Sequence, residues 1–419
     1  MVFSVRMWHM GTLTSYRLRN MFTPYRELFR TPGGLRFSLA GFIGRMPISM
    51  DSLALIFIVV HASGSYTLAG ALAAVGSVVV AIAMPLWSRT ADRVGQKRTL
   101  LFAIPIRIGF LTLFIALVNF NAPIWSWFVS IIAAEATVIN AGGMVRRRWL
   151  WALGENRTLI NTAYSYESLM DEFVFILGPV IATFCATSIA PSAALIVGLV
   201  FMLIGTTSFA LQTKTEPPPH PRDNFAPHPA VMRNPAVQAV VVPAIFIGGF
   251  FSAIAIVVVA FAQERGSPSS TGLLLAIWAA GSGVSAIFHG VIKWKINHAT
   301  RFIIFMAALT ALSFPLIFAT NFTFLSIALF CNGFAISPLI VSAYGVAETA
   351  VPPGQITETL AWVIAGMPLG GAVASAITGW VIDQHGAHDA FWVPFGCMVI
   401  GMLLVLAYFR TWNRLRSAA

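Results

Sequence analysis

Four charged residues interrupt long apolar stretches of this chain: Arg45, Arg107, Glu135 and Asp171. A charge at bilayer depth costs roughly 2.5–3.5 kcal/mol on insertion scales, so each is expected to face protein or water and to serve a purpose. Two cations and two carboxylates at one depth can neutralise one another as static ion pairs. Alternatively, one carboxylate takes up a proton and frees its guanidinium partner, which makes a proton switch with Asp171 or Glu135 as the carrier. Spacing extends the set. Arg45, Ser49 and Ser52 fall at i, i+4 and i+7 on one helical stripe, while Asp51 points elsewhere. Tyr164, Glu167, Ser168 and Asp171 form a second stripe, which adds Glu167 to the proton-coupling candidates. Glu172 lies about 100° round from Asp171, off the middle of that stripe. Later in the chain, Trp278, Asn332, Tyr344 and Trp362 offer faces suited to an organic molecule, or else ordinary membrane packing. His289, near a helix end, is a weaker candidate for a proton carrier.

Helices must hold these groups. Of the 419 residues, 58% are hydrophobic and 10% are Asp, Glu, Lys or Arg, against roughly 25% charged residues in a soluble domain. Twelve apolar runs of about 20 residues cover 37–60, 66–88, 99–118, 123–144, 161–185, 192–211, 236–262, 270–291, 302–320, 323–347, 356–383 and 391–409. An all-α polytopic membrane protein with 12 transmembrane helices is the expectation. At ~1.5 Å rise per residue, Arg45, Arg107, Glu135 and Asp171 all reach a level ~12–15 Å from the basic ends of their runs. They are expected to form one layer near the midplane of the amino-terminal half. Gly178 with Pro179, and Pro368, mark expected helix kinks.

Net charge is +11, but the basic residues alternate between connections rather than forming a patch, so nucleic acid is not the expected partner. With the amino terminus in the cytoplasm, 23 of the 26 Lys and Arg fall in the tails and inner connections, and only Arg265 lies in an outer loop. Both termini are therefore expected in the cytoplasm, in a multi-pass plasma-membrane protein. Residues 1–34 are basic and carry interleaved aromatics such as Trp8 and Tyr16. They read either as an amphipathic segment on anionic lipid or as an overextended start. Residues 35–211 and 236–410 make two six-helix bundles, joined by a proline-rich linker over 212–235 and followed by a tail over 411–419. His220 and His228 of the linker lack nearby acids or cysteines, and Cys185, Cys331 and Cys397 are scattered, so no metal site is expected. The chain also lacks a His-Glu-x-x-His zinc motif and a Gly-x4-Gly-Lys-Ser/Thr loop, so neither an enzyme nor a nucleotide-driven pump is expected.

The two bundles repeat one another. FRTP at Phe29–Pro32 matches MRNP at Met232–Pro235, Phe42-Ile43-Gly44 matches Phe246-Ile247-Gly248, and the basic loop Arg89–Arg98 matches Lys293–Arg301 at offsets of 203 to 204. Glu167-Ser168-Leu169 and Glu358-Thr359-Leu360 open the fifth and eleventh runs alike. Two similar halves enclose a cavity between them, which is the usual build of a secondary transporter.

The loop Ala91-Asp92-Arg93-Val94-Gly95-Gln96-Lys97-Arg98 resembles the Gly-x-Leu-Ala-Asp-Arg-x-Gly-Arg-Lys signature of the major facilitator superfamily, departing from it at Ser88, Thr90 and Gln96. The resemblance implies that this loop braces the halves in the outward-facing state, with Asp92, Arg93, Gly95, Lys97, Arg98 and Glu358 as parts of one cytoplasmic gate. Gly178-Pro179 is similar to the centre of a motif of the family's proton antiporters, although Ala182 and Thr183 replace its glycine pair. The implied function is proton-coupled secondary active transport of a small organic solute, with export by antiport favoured and proton-driven uptake as the alternative. Because Trp294 stands in the second basic loop where Asp92 stands in the first, a transport-inactive receptor or scaffold is the remaining alternative. The expected partners are a small-molecule substrate and membrane lipid, the expected state is a monomer, and no cofactor beyond the proton gradient is implied.

Overall fold

The computed structural model describes residues 23–219, 231–292, 294–352, 356–408 and 411–412. The basic segment before Thr23, His220 and His228 of the linker, and the side chain of Glu358 lie outside the described residues. Every regular element among the described residues is helical. A short α1 (Thr23–Phe29) precedes α2 (Gly34–Ser63), α3 (Tyr66–Val94), α4 (Gln96–Asn119), α5 (Ile124–Glu135), α6 (Ala141–Leu153), α7 (Arg157–Ser188) and α8 (Ala193–Leu211). After the linker come α9 (Pro235–Glu264), α10 (Ser270–Val291), α11 (His298–Ser313), α12 (Phe322–Gly333), α13 (Ile336–Thr349), α14 (Ile356–Ala390) and α15 (Trp392–Ala407). Ten segments have the length and hydropathy to cross a bilayer, and the apolar helices α5 and α15 complete twelve spans.

The spans begin and end where local chemistry directs. Ser65 caps α3 by accepting from the Leu68 amide, and Asn156, Asn234 and Asn321 do the same for α7, α9 and α12, each satisfying one of the amides a helix start leaves free. Gly95 joins α3 to α4 with φ 98, a left-handed value that glycine adopts without a Cβ clash. The fourth span departs from the continuous helix expected over 123–144. It stops after Glu135 and restarts at Ala141, where Asn140 caps α6 through the Gly143 amide.

Two helices are central. In α2 and α9, the first spans of the two halves, 72% of the most apolar window is buried, against 28–50% in the other long spans. The remaining helices pack around these two. The Lys and Arg side chains gather at one end of the bundle, in the connections after α3, α6, α8 and α10; at the far end Arg265 is the sole Lys or Arg among the described residues.

The halves meet along two seams, α3 with α14 and α7 with α10. Small residues make the approach possible. A Cβ at Gly70 would overlap the Ser375 carbonyl, one at Gly379 would overlap the Tyr66 carbonyl, and one at Gly272 would crowd Pro179 and Thr183. The hydrogen bonds that join the halves lie at the far end. Asp383 of α14 accepts from Ser65 Oγ at 2.8 Å and from the amides of Tyr66 at 2.9 Å and Thr67 at 2.8 Å, while the Tyr66 hydroxyl bonds Gln263 of α9. The bundle is thus closed at its far end.

Candidate functional site

The buried charges divide into two ion-paired groups. The first is built on Arg45, whose side chain is 1% exposed. Its Nε donates to the Gly41 carbonyl at 3.1 Å, one guanidinium nitrogen pairs with Glu167 at 2.5 Å, and the other pairs with Asp171 at 2.7 Å. Glu167 is fully buried and also accepts from Trp149 Nε1 at 2.8 Å and from Ser38 Oγ. Three donated hydrogen bonds, one each from a guanidinium, an indole and a hydroxyl, satisfy this buried carboxylate. The second oxygen of Asp171 takes Arg146 of α6 at 2.7 Å. Asp171 and Arg146 are the open side of the group, with side chains 32% and 31% exposed. Tyr164 lies within electrostatic reach of Arg146, and Tyr344 of α13 within reach of both Arg146 and Asp171, which brings the carboxyl-terminal half to this group.

The second group is centred on Arg107 of α4. It pairs with Asp51 at 2.8 Å and with Glu135 at 3.1 and 3.2 Å, and donates to the Ala134 carbonyl at 3.1 Å. The break in the fourth span explains this geometry. Ending α5 at Glu135 leaves carbonyls without helical partners in a dehydrated setting, where each would be costly. Arg107 and Thr137 take the Ala134 carbonyl, and Trp87 Nε1 takes that of Ala136 at 2.7 Å. A cation at a helix carboxyl end is also favoured by the helix dipole.

Several sequence expectations are corrected here. Asp51 points away from the Arg45 stripe, as expected, but it is not idle there: that direction makes it one of the two carboxylates on Arg107. Arg45 takes both its carboxylates from α7, and Arg146, counted in sequence as a topological loop cation, belongs to the site. The stripe on α2 splits. Ser49 is buried and donates to the Val174 carbonyl at 2.7 Å, whereas Ser52 is exposed. Pro179 lies inside α7 and Pro368 inside α14, and a Cβ at Gly178 would overlap Ser49 Oγ, so this glycine serves close packing of α2 on α7.

At the basic end, Asp92 forms an ion pair with Arg147 of its own half. Arg93 and Arg98 are exposed, and the Lys97 amide donates to Glu216 at 2.9 Å. The loop therefore braces the amino-terminal half internally in this state, not the two halves against each other. Sequence reasoning missed Arg148, which is fully buried, donates to Gln96 Oε1 at 2.8 Å and to the Gln212 carbonyl at 3.0 Å, and stacks 3.7 Å from the Phe209 ring centroid.

In the other half, Trp278 donates to Asn332 at 2.9 Å, and Asn332 donates to Ser313 at 3.1 Å. Asn332 is fully buried, so its amide is spent on this chain. Trp278 packs edgewise on Phe250 and Phe251, with centroids at 5.9 and 5.8 Å. Trp362 is 43% exposed on α14. His289 bonds Arg301 at 3.3 Å near the basic end.

A family model described as Major Facilitator Superfamily matches residues 37–259 and 241–417. No curated protein matches the chain. Among solved structures, that of the nucleoside transporter NupG aligns with a TM-score of 0.70 at 13% identity, covering 90% of this chain and 98% of that one. The POT family transporter PepTSo aligns with a TM-score of 0.73 at 11% identity, covering 92% and 99%. The human organic anion transporter MFSD10 aligns with a TM-score of 0.58 at 14% identity, covering 91% and 99%. At these identities the likeness is one of fold.

Proposed function

The chain belongs to the major facilitator superfamily and is a transporter, not an enzyme; we propose that it moves a small organic solute by alternating access, driven by protons. The observation that carries the coupling is the charge count inside the amino-terminal half. The two ion groups hold three cations, Arg45, Arg107 and Arg146, and four carboxylates, Asp51, Glu135, Glu167 and Asp171; with Glu172 beside them on α7, carboxylates outnumber cations there by two. An uncompensated carboxylate in a dehydrated setting favours its neutral form, which makes proton uptake part of the resting chemistry of such a half.

The basic end is assigned to the cytoplasm on the distribution of Lys and Arg, so a bundle closed at its far end presents its cavity inward. The solute would enter between the halves near Asp171, Arg146 and Tyr344. Export by antiport requires solute and proton to exclude one another there. An anionic solute favours a second reading, proton-driven uptake, because its charge adds to the excess and is offset by a further proton.

The test uses purified protein in liposomes loaded with a pH-sensitive dye and a panel of organic anions, cations and neutral metabolites. At least one solute is expected to move protons with itself or against itself, and Asp171→Asn or Glu135→Gln is expected to uncouple that movement. Solute flux indifferent to pH gradients and protonophores contradicts the proposal, and coupling unchanged in both variants removes these two carboxylates from it.

A further inference from the structure

We infer that Glu172 is the proton-binding carboxylate that couples protonation to the relative movement of the halves. The inference rests on the proton-coupled reading above and goes beyond it by choosing between the excess carboxylates. Glu172 is the sixteenth of 32 residues in α7, hence near the middle of its span. Its side chain turns away from Arg45 and Arg146 toward α10, where a methyl group at Gly283 would stand 3.6 Å from its Oε2. Among the described residues it has no cation and no hydrogen-bond donor. The other excess carboxylate differs in both respects: Asp51 and Glu135 share Arg107, and all three belong to helices of one half. Protonating that group leaves the seam untouched. Protonating Glu172 changes the charge of the α7–α10 seam itself, along which the halves must shift to alternate access.

The surroundings of Glu172 supply no other charge compensation. Asp171, the charged neighbour that acts on it, has the same sign. Of the elements packed on α7, α10 carries His289 alone, at the basic end; α8 carries no titratable group; α1 brings Tyr25, Arg26 and Glu27 at the basic end; α2 brings Arg36 near its basic end, His61 near its far end, and Arg45 and Asp51 between them; and α6 brings Arg146, Arg147 and Arg148, with Arg45, Asp51, Arg146, Arg147 and Arg148 engaged elsewhere. Tyr344 approaches Asp171 from α13. In the far-closed state Glu172 is half-buried against a glycine, an environment suited to its neutral form; as an anion it gains from any shift of the seam that admits water. Acid therefore favours the far-closed state, and loss of the proton favours its opening.

The test needs no solute. Spin labels at exposed Phe120→Cys and Trp392→Cys, one at the far end of each half, report the separation of the halves in lipid nanodiscs after Cys185, Cys331 and Cys397 are replaced by Ser. Wild type is expected to move toward the longer distance by about tenfold in population ratio between ~pH 5.5 and ~pH 8.5. Glu172→Gln should hold the short distance throughout, and Glu172→Asp should restore the response, which separates loss of the proton site from misfolding. A Glu172→Gln protein that responds like wild type overturns the inference and leaves proton coupling standing. No response in wild type overturns both.

Discussion

Asp171 holds two guanidinium groups at once, Arg45 through Oδ1 and Arg146 through Oδ2, each at 2.7 Å. The partners are unequal, because Arg45 is 1% exposed and also neutralises buried Glu167, while Arg146 is 31% exposed. Arg45→Ala leaves Glu167 buried without its cation and is expected to cost about 3–5 kcal/mol. Arg146→Ala removes a solvent-screened contact and should cost about 1 kcal/mol or less. Chemical unfolding in detergent micelles ranks the two variants, and equal losses would contradict this division of roles.

Arg107 serves two carboxylates, so removing it is worse than removing either of them. Arg107→Ala is expected to lose about 3–5 kcal/mol, whereas Glu135→Gln leaves the Asp51 pair intact and should be much milder. Combining them relieves part of the repulsion that Arg107→Ala creates. A double-mutant cycle should return a coupling of at least about 1 kcal/mol.

Asp383 closes the far end by capping a helix of the opposite half, accepting from Ser65, Tyr66 and Thr67. A lost cap is worth about 0.5–2 kcal/mol, so Asp383→Ala should shift the equilibrium toward far-open by roughly two- to thirtyfold. Ser375 is 2% exposed and lies in that seam against Gly70. Maleimide labelling of Ser375→Cys should accelerate correspondingly in the Asp383→Ala background.

Gln96 stands where the family signature carries a cation, and the structure supplies a reason. Its side chain accepts from Arg148 at 2.8 Å and donates to the Met144 carbonyl at 3.2 Å, both in the buried basic end of the half. Gln96→Lys sets an ammonium against that guanidinium and should lower the thermal midpoint clearly. Gln96→Glu gives Arg148 a carboxylate and should be tolerated far better.

The twelve spans and the duplication were legible in the sequence because apolar length and fixed-offset landmarks are properties of the chain alone. The pairing of charges was not, because helical period gives a direction around an axis without saying which neighbour waits there. Asp51 is turned well away from Arg45 along α2, yet α2 is central and covered on several sides, so that direction leads to Arg107. Arg146 was counted for topology, although the stop after Glu135 draws α6 and its arginines into the site. Asn140, a strong helix-capping residue inside an apolar run, was the available signal for that break.

Under the proposed alternating access, the halves rock about a cavity and closure at the far end is one of two working states. Ser65→Cys with Asp383→Cys, joined by a short thiol cross-linker across the pair now 2.8 Å apart, fixes that closure. Solute flux in liposomes should stop on cross-linking and return when the link is cleaved. Undiminished flux through fully cross-linked protein would contradict alternating access as the way this transporter works.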